Sequence, residues 1–158
     1  MKGMLIMDKL KIIAYILLGV CLAFSAYTDL KTRLISTWLC LVFGAGGLVL
    51  TVINAVASAS WHPVADALLG LLPSVVLYGT GRLARGAIGT GDVLLFAVSG
   101  LYLGLVWNLI FIWTACFFTL LTGGVLLALK KIERKGSLPL APFALAAWAV
   151  LGAGGLIL

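Results

Sequence analysis

Two aspartates in this chain stand where ionisable groups are hardest to keep. The sequence has five acids among 158 residues and a mean hydropathy of +1.22. Asp29 and Asp92 fall at the edges of long apolar runs, in the stretches Asp29-Leu30-Lys31-Thr32-Arg33 and Gly89-Thr90-Gly91-Asp92. A carboxylate held beside lipid is costly, which makes it a functional candidate. Two carboxyls that share a site cannot both ionise cheaply, so one keeps its proton while the other accepts one. Such a pair can take a proton from water and hydrogen-bond a carbonyl, which is the acid–base chemistry of peptide-bond hydrolysis.

Each aspartate also has a plain reading. Asp29 ends its apolar run, where the partial negative charge of a helix C-terminus disfavours an acid. Lys31 and Arg33 offset that, and a solvated interfacial acid fits the local features equally well. Asp92 starts its run, and Asp is among the best N-cap residues. What distinguishes it is Gly89-x-Gly91, since glycines permit unusual backbone angles and close approach of an extended peptide. The dipole argument favours Asp92 as base and Asp29 as acid, although coupled carboxyls resist individual assignment. Asp66 reads as an ordinary helix cap outside the site. Asp8 lies in the N-terminal tail, and Glu133 lies among Lys131, Arg134 and Lys135 in a solvated loop.

The elements that must position this pair are membrane helices. The chain is 63% hydrophobic and 10% charged, far from the balance of a soluble domain. The expected fold is an all-α polytopic membrane helix bundle of about six transmembrane helices, a single domain over residues 1–158. Apolar runs of spanning length cover residues 12–27, 35–57, 64–79, 92–107, 109–129 and 140–158. Loops are expected at 58–63 and 106–108, and Pro73 should kink the third span. A signal-peptide-like start is better read as the retained first span, because Phe24 breaks the small-x-small cleavage pattern.

Lys31, Arg33, Arg82, Arg85, Lys130, Lys131, Arg134 and Lys135 collect on one side of this topology, which marks that side as cytoplasmic and puts both termini outside. Lys2, Lys9 and Lys11 argue the other way but are fewer. The net charge of +6 is thus an orientation signal, and no nucleic-acid partner is expected. Cys21, Cys40 and Cys116 form no CxxC pair and His62 is the only histidine, so no metal site is expected; the cysteines read as small buried hydrophobes. The many glycines read as helix-packing residues.

The motifs, taken in order, resemble the prepilin peptidase family, also called type IV leader peptidases, in its peptidase-only form, and are similar to archaeal preflagellin peptidases. The family's D-x-x-T-x-x-I-P after one span reads here Asp29-Leu30-Lys31-Thr32-Arg33-Leu34-Ile35-Ser36. Its GxGD before an apolar helix is Gly89-Thr90-Gly91-Asp92, and its I-P-F-G-P-F resembles Leu138-Pro139-Leu140-Ala141-Pro142-Phe143. Ser36, Val93 and Ala141 depart from the usual proline, lysine and glycine, and bear on substrate preference more than on catalysis.

The resemblance implies a membrane aspartic endopeptidase with catalytic Asp29 and Asp92, and with Gly89, Gly91, Lys31 and Arg33 shaping the site and binding substrate. It implies no metal and no cofactor. The substrate would be a prepilin or pseudopilin precursor, cut after a glycine that ends a short basic leader. The setting would be a bacterial plasma membrane, with the active site toward the cytoplasm and the bilayer as the other partner. The paired CxxC segment of bifunctional, N-methylating members is not among these motifs, so no methyltransferase-type domain is expected. Two other classes fit an apolar chain with buried acids: a small proton-coupled transporter, with acids near mid-bilayer, and a noncatalytic membrane assembly protein. The oligomeric state is not readable from the sequence.

Overall fold

The computed structural model describes residues 2–83, 89–129 and 139–154, with side chains from Lys9 onward, and among them every regular element is α-helical. This is what a bilayer demands, because a spanning backbone must satisfy its own hydrogen bonds. The helices are α1 (Lys2–Thr32), α2 (Thr37–Ser58), α3 (His62–Gly70), α4 (Leu72–Leu83), α5 (Thr90–Ala128) and α6 (Ala141–Ala153). Four stretches are long and apolar enough to cross a membrane: Lys9–Thr32, Thr37–Ser58, His62–Leu83 and Thr90–Ala128. Their best windows have mean hydropathies of 2.0, 2.2, 1.4 and 2.1, and Ala141–Ala153 is shorter. Trp38, Trp113 and Leu120 are all at least 75% exposed, which suits surfaces that meet acyl chains.

Two breaks shape the bundle. The third apolar stretch divides at Leu71. Pro73 cannot donate to the carbonyl four residues back, so the break falls two residues before the proline itself. The second break is sharper. Gly104 has φ 72° and ψ −176° inside α5, a conformation that glycine adopts at little cost. The chain folds back there, and the arms 90–103 and 105–128 lie side by side. Ser99 Oγ donates to Asn108 Oδ1 at 2.7 Å, whereas nine residues along a straight helix span about 14 Å. Phe96 and Phe111 also meet across the hairpin, edge to face, with ring centroids 6.1 Å apart. The reversal therefore sits at Gly104 and not in a loop at 106–108, and Asn108 is a helical, fully buried residue.

Polar contacts fix this hairpin. An Asp66 carboxylate oxygen accepts the Leu105 N–H at 3.3 Å, capping the second arm. Asp66 is thus not the cap of the third span, since it lies inside α3 behind the N-cap Trp61; it caps a helix distant in sequence. Asn108 Nδ2 donates to the Gly70 carbonyl at 2.8 Å and to that of Phe96 at 3.2 Å, joining α3 to both arms. Gly70 and Gly100 sit backbone against backbone, and a Cβ on either would strike the carbonyl oxygen of the other.

The remaining helices close around the hairpin. α1 and α6 run antiparallel, with Tyr15 stacked on Trp148 at 4.4 Å and the Tyr15 hydroxyl donating to the Trp148 carbonyl at 2.6 Å. Cys21 and Cys40 are buried as expected, but Cys116 is exposed, because it lies on an outward face of the second arm.

Asn108→Leu should lower stability, since it strips a partner from the Gly70 carbonyl and from Ser99. The expected loss is about 1–2 kcal/mol, measured as a lower midpoint of denaturant unfolding in mixed micelles. An unchanged midpoint would mean that the arms pair without the amide.

Candidate active site

Asp29 occupies the last turn of α1, which runs to Thr32 because nothing in Ser25–Thr32 interrupts it. The Arg33 N–H donates to the Asp29 carbonyl at 2.9 Å, and Arg33 takes φ 54°, a left-handed residue closing the helix. Although it stands at the rim, Asp29 is only 6% exposed. α6 covers it: the Ala141 N–H donates to Asp29 Oδ2 at 3.1 Å. Leu140 precedes α6 without a side-chain cap, and Pro142 follows in the first turn. The aspartate thus supplies from α1 the acceptor that α6 lacks locally.

Asp92 lies in the first turn of α5, where Gly89 is the N-cap residue. It is therefore not the cap itself, but an acid three residues in, where the helix dipole favours negative charge. The Val93 N–H reaches the Gly89 carbonyl at 3.3 Å. A Cβ on Gly89 would stand 3.2 Å from Asp92 Oδ2, so glycine leaves that oxygen approachable. Gly91 faces inward: its Cβ would come 2.9 Å from Ile35 Cβ. Ile35 sits six residues beyond Asp29, so this contact ties the start of α5 to the segment that follows α1. The Asp92 carboxyl is half-buried, at the end of the bundle where the segment after Asp29 meets the start of α5.

The structure thus gathers three separated stretches, 29–35, 89–92 and 139–142, at one end of the bundle. The Asp29–Ala141 contact changes one sequence argument. The end of α1 disfavours negative charge on Asp29, but the start of α6 favours it, so helix dipoles no longer separate a base from an acid. Lys31 and Arg33 are exposed at the rim, with Lys31 Nζ 5.9 Å from the Tyr27 ring centroid. Arg85, Lys130, Lys131, Glu133, Arg134 and Lys135 lie outside the described residues, as does Leu138 of the third motif. Among the described residues, no three His, Cys, Asp or Glu side chains are grouped to hold a metal ion. The capping role of Asp29 is what sequence reasoning misses; its one trace is a proline-bounded helix start with no Ser, Thr, Asp or Asn of its own.

Comparison with known proteins bears on the same residues. The family model described as "Type IV leader peptidase family" matches residues 16–124, which include both aspartates and both glycines of the GxGD turn. The chain belongs to the type IV leader peptidase family. It is therefore a member of a peptidase family with membrane-capable helices. The match stops short of the third motif, so the resemblance at 138–143 rests on the sequence likeness and on the Asp29–Ala141 contact. No curated protein matches the chain, and no solved structure does.

The Gly91–Ile35 contact gives a test of this architecture. Gly91→Ala should reduce peptidase activity by about tenfold or more, because a Cβ held 2.9 Å from Ile35 displaces one motif from the other and small misplacements of reacting groups are costly. Adding Ile35→Ala should recover most of the loss. Failure of the second substitution to rescue, with both proteins folded, would show that Gly91 matters for a reason other than this contact.

Proposed function

We propose that the protein is an aspartic endopeptidase of the bacterial plasma membrane. It removes the short basic leader of prepilin-like or pseudopilin-like precursors at the cytoplasmic face. What supports this reading is that the segments bearing Asp29 and Asp92 meet through the Gly91–Ile35 contact, in a chain of the leader peptidase family. One carboxylate takes a proton from water, which attacks the scissile carbonyl. The other, protonated, donates to the carbonyl oxygen and stabilises the oxyanion. Collapse of the tetrahedral intermediate breaks the C–N bond, and the amine leaves with a proton. Gly89 keeps the approach to Asp92 free of a side chain and Gly91 lets the turn close on Ile35, while Lys31 and Arg33 shape the entrance.

The proposed chain crosses six times, with the two arms of α5 counted separately. The arm 90–103 is about 20 Å long against a hydrocarbon core of about 30 Å. In this reading the pair lies at the near boundary, where a precursor's apolar helix begins, and Gly104 stops about 10 Å short of the far one. A proton-coupled carrier is the weaker reading, because its acids belong near mid-bilayer and this pair sits at one end of the bundle.

Asp29→Asn and Asp92→Asn should each abolish cleavage of a candidate precursor by purified protein, at normal abundance in the membrane. Asparagine retains an oxygen acceptor but cannot exchange the proton. Since the pair acts as a unit, the double variant should be as inactive as either single one. Activity retained in either single variant would remove that residue from the catalytic pair.

Orientation has its own test. In a cysteine-free background, Ser60→Cys should react with a membrane-impermeant thiol reagent in intact cells, and Ser36→Cys should not. The reverse pattern would put the aspartates outside.

A further inference from the structure

A second site lies at the opposite end of the bundle. α1, α2, α3 and the Gly104 hairpin enclose a cavity of about 330 Å³ whose lining includes Lys11, Thr51, Asn54, Asp66 and Tyr102. Along α1, Lys11 is about 27 Å from Asp29, so the cavity is separate from the carboxyl pair. Its volume is at the small end for ligand sites, enough for a polar headgroup and too small for a helix.

The polar lining is unevenly satisfied. The Thr51 and Tyr102 hydroxyls already donate to the carbonyls of Gly47 and Phe43, at 2.9 Å and 2.7 Å. Asp66 accepts the Leu105 N–H through Oδ1. Asn54 Oδ1 is shielded from the cavity and meets no donor there. The cavity therefore presents one cation and one carboxylate. Leu10, Ala14 and Leu50 make its apolar wall.

We propose that this cavity binds the headgroup of a zwitterionic phospholipid bearing a primary ammonium, a phosphoethanolamine lipid. Lys11 pairs with the phosphate. The ammonium's N–H donors serve the Asp66 carboxylate. A choline headgroup has no N–H to give that carboxylate, so the site discriminates between two lipids of equal charge. The source is the bilayer, because the walls are helices that cross it and the apolar side receives the glycerol and first acyl carbons. This assignment stands independently of the peptidase reading.

The test uses the full chain, purified in micelles doped with equal amounts of phosphatidylethanolamine and phosphatidylcholine of identical acyl chains. Lipid retained on the protein is counted by native mass spectrometry. The expected result is one bound phosphatidylethanolamine, preferred by roughly fivefold or more. Asp66→Asn, which keeps an oxygen for the Leu105 N–H, should bring the ratio close to one. Lys11→Gln should reduce retention of both lipids. Equal retention by the unaltered protein, or an undiminished preference in Asp66→Asn, would overturn the proposal. Displacement of the lipid by millimolar soluble phosphoethanolamine would overturn its assignment to the bilayer.

Discussion

In a bilayer an apolar helix face gains little by leaving acyl chains for another helix. Close backbone contact and a few buried polar groups must then decide which helices touch and in what register. Here those groups are few enough to name. Asn108 binds α3 to both arms of the hairpin through the Gly70 and Phe96 carbonyls. Asp66 closes the hairpin at Leu105, and Asp29 receives the start of α6. Two of these three are carboxylates from one helix capping the N-terminus of another. An N-terminus carries exposed N–H groups and partial positive charge, so in lipid it needs an acceptor. A distant aspartate serves where the local sequence offers glycine or leucine.

The same economy couples scaffold to chemistry. Gly70 against Gly100 and the Asn108 amide hold the first arm of the hairpin against α3, and that arm begins at the GxGD turn. At its other end, Gly91 is pressed to Ile35, in the segment that follows Asp29. A shift of α3 would thus be felt at Asp92, and a shift at the end of α1 would be felt at both carboxyls and at α6. Among the described residues these contacts pass directly from helix to helix, so the geometry of the pair depends on how the helices pack.

Much of this was legible in the sequence, and the parts that were not share a cause. Helical class follows from composition, and the runs at 12–27 and 35–57 lie close to α1 and α2, because apolar length alone sets them. The Gly104 reversal was misplaced toward 106–108 because Asn108 looks like a loop residue until its three buried partners are known. The break near Pro73 was legible, since proline's missing donor acts within its own helix. The capping roles of Asp66 and Asp29 were not legible, because their partners lie 39 and 112 residues away and a backbone N–H carries no side-chain signature. Periodicity reports what a helix faces, not which terminus its acids will reach.

Asp29 therefore has two obligations, and its two oxygens divide them. Oδ2 is committed to the Ala141 N–H, which fixes the carboxyl plane relative to α6. In the proposed mechanism, proton exchange with Asp92 or with water then falls to the other oxygen. A carboxyl anchored by one oxygen would lose little freedom in that reaction, since its orientation is already set on folding. The cost is that any residue at position 29 must keep an acceptor in place for α6. An asparagine can cap but cannot exchange a proton, whereas an alanine would do neither and would confuse loss of chemistry with loss of the helix start. The short polar side chain that ends α1 is thus constrained by the backbone it caps and, in the proposed mechanism, by the proton it must exchange.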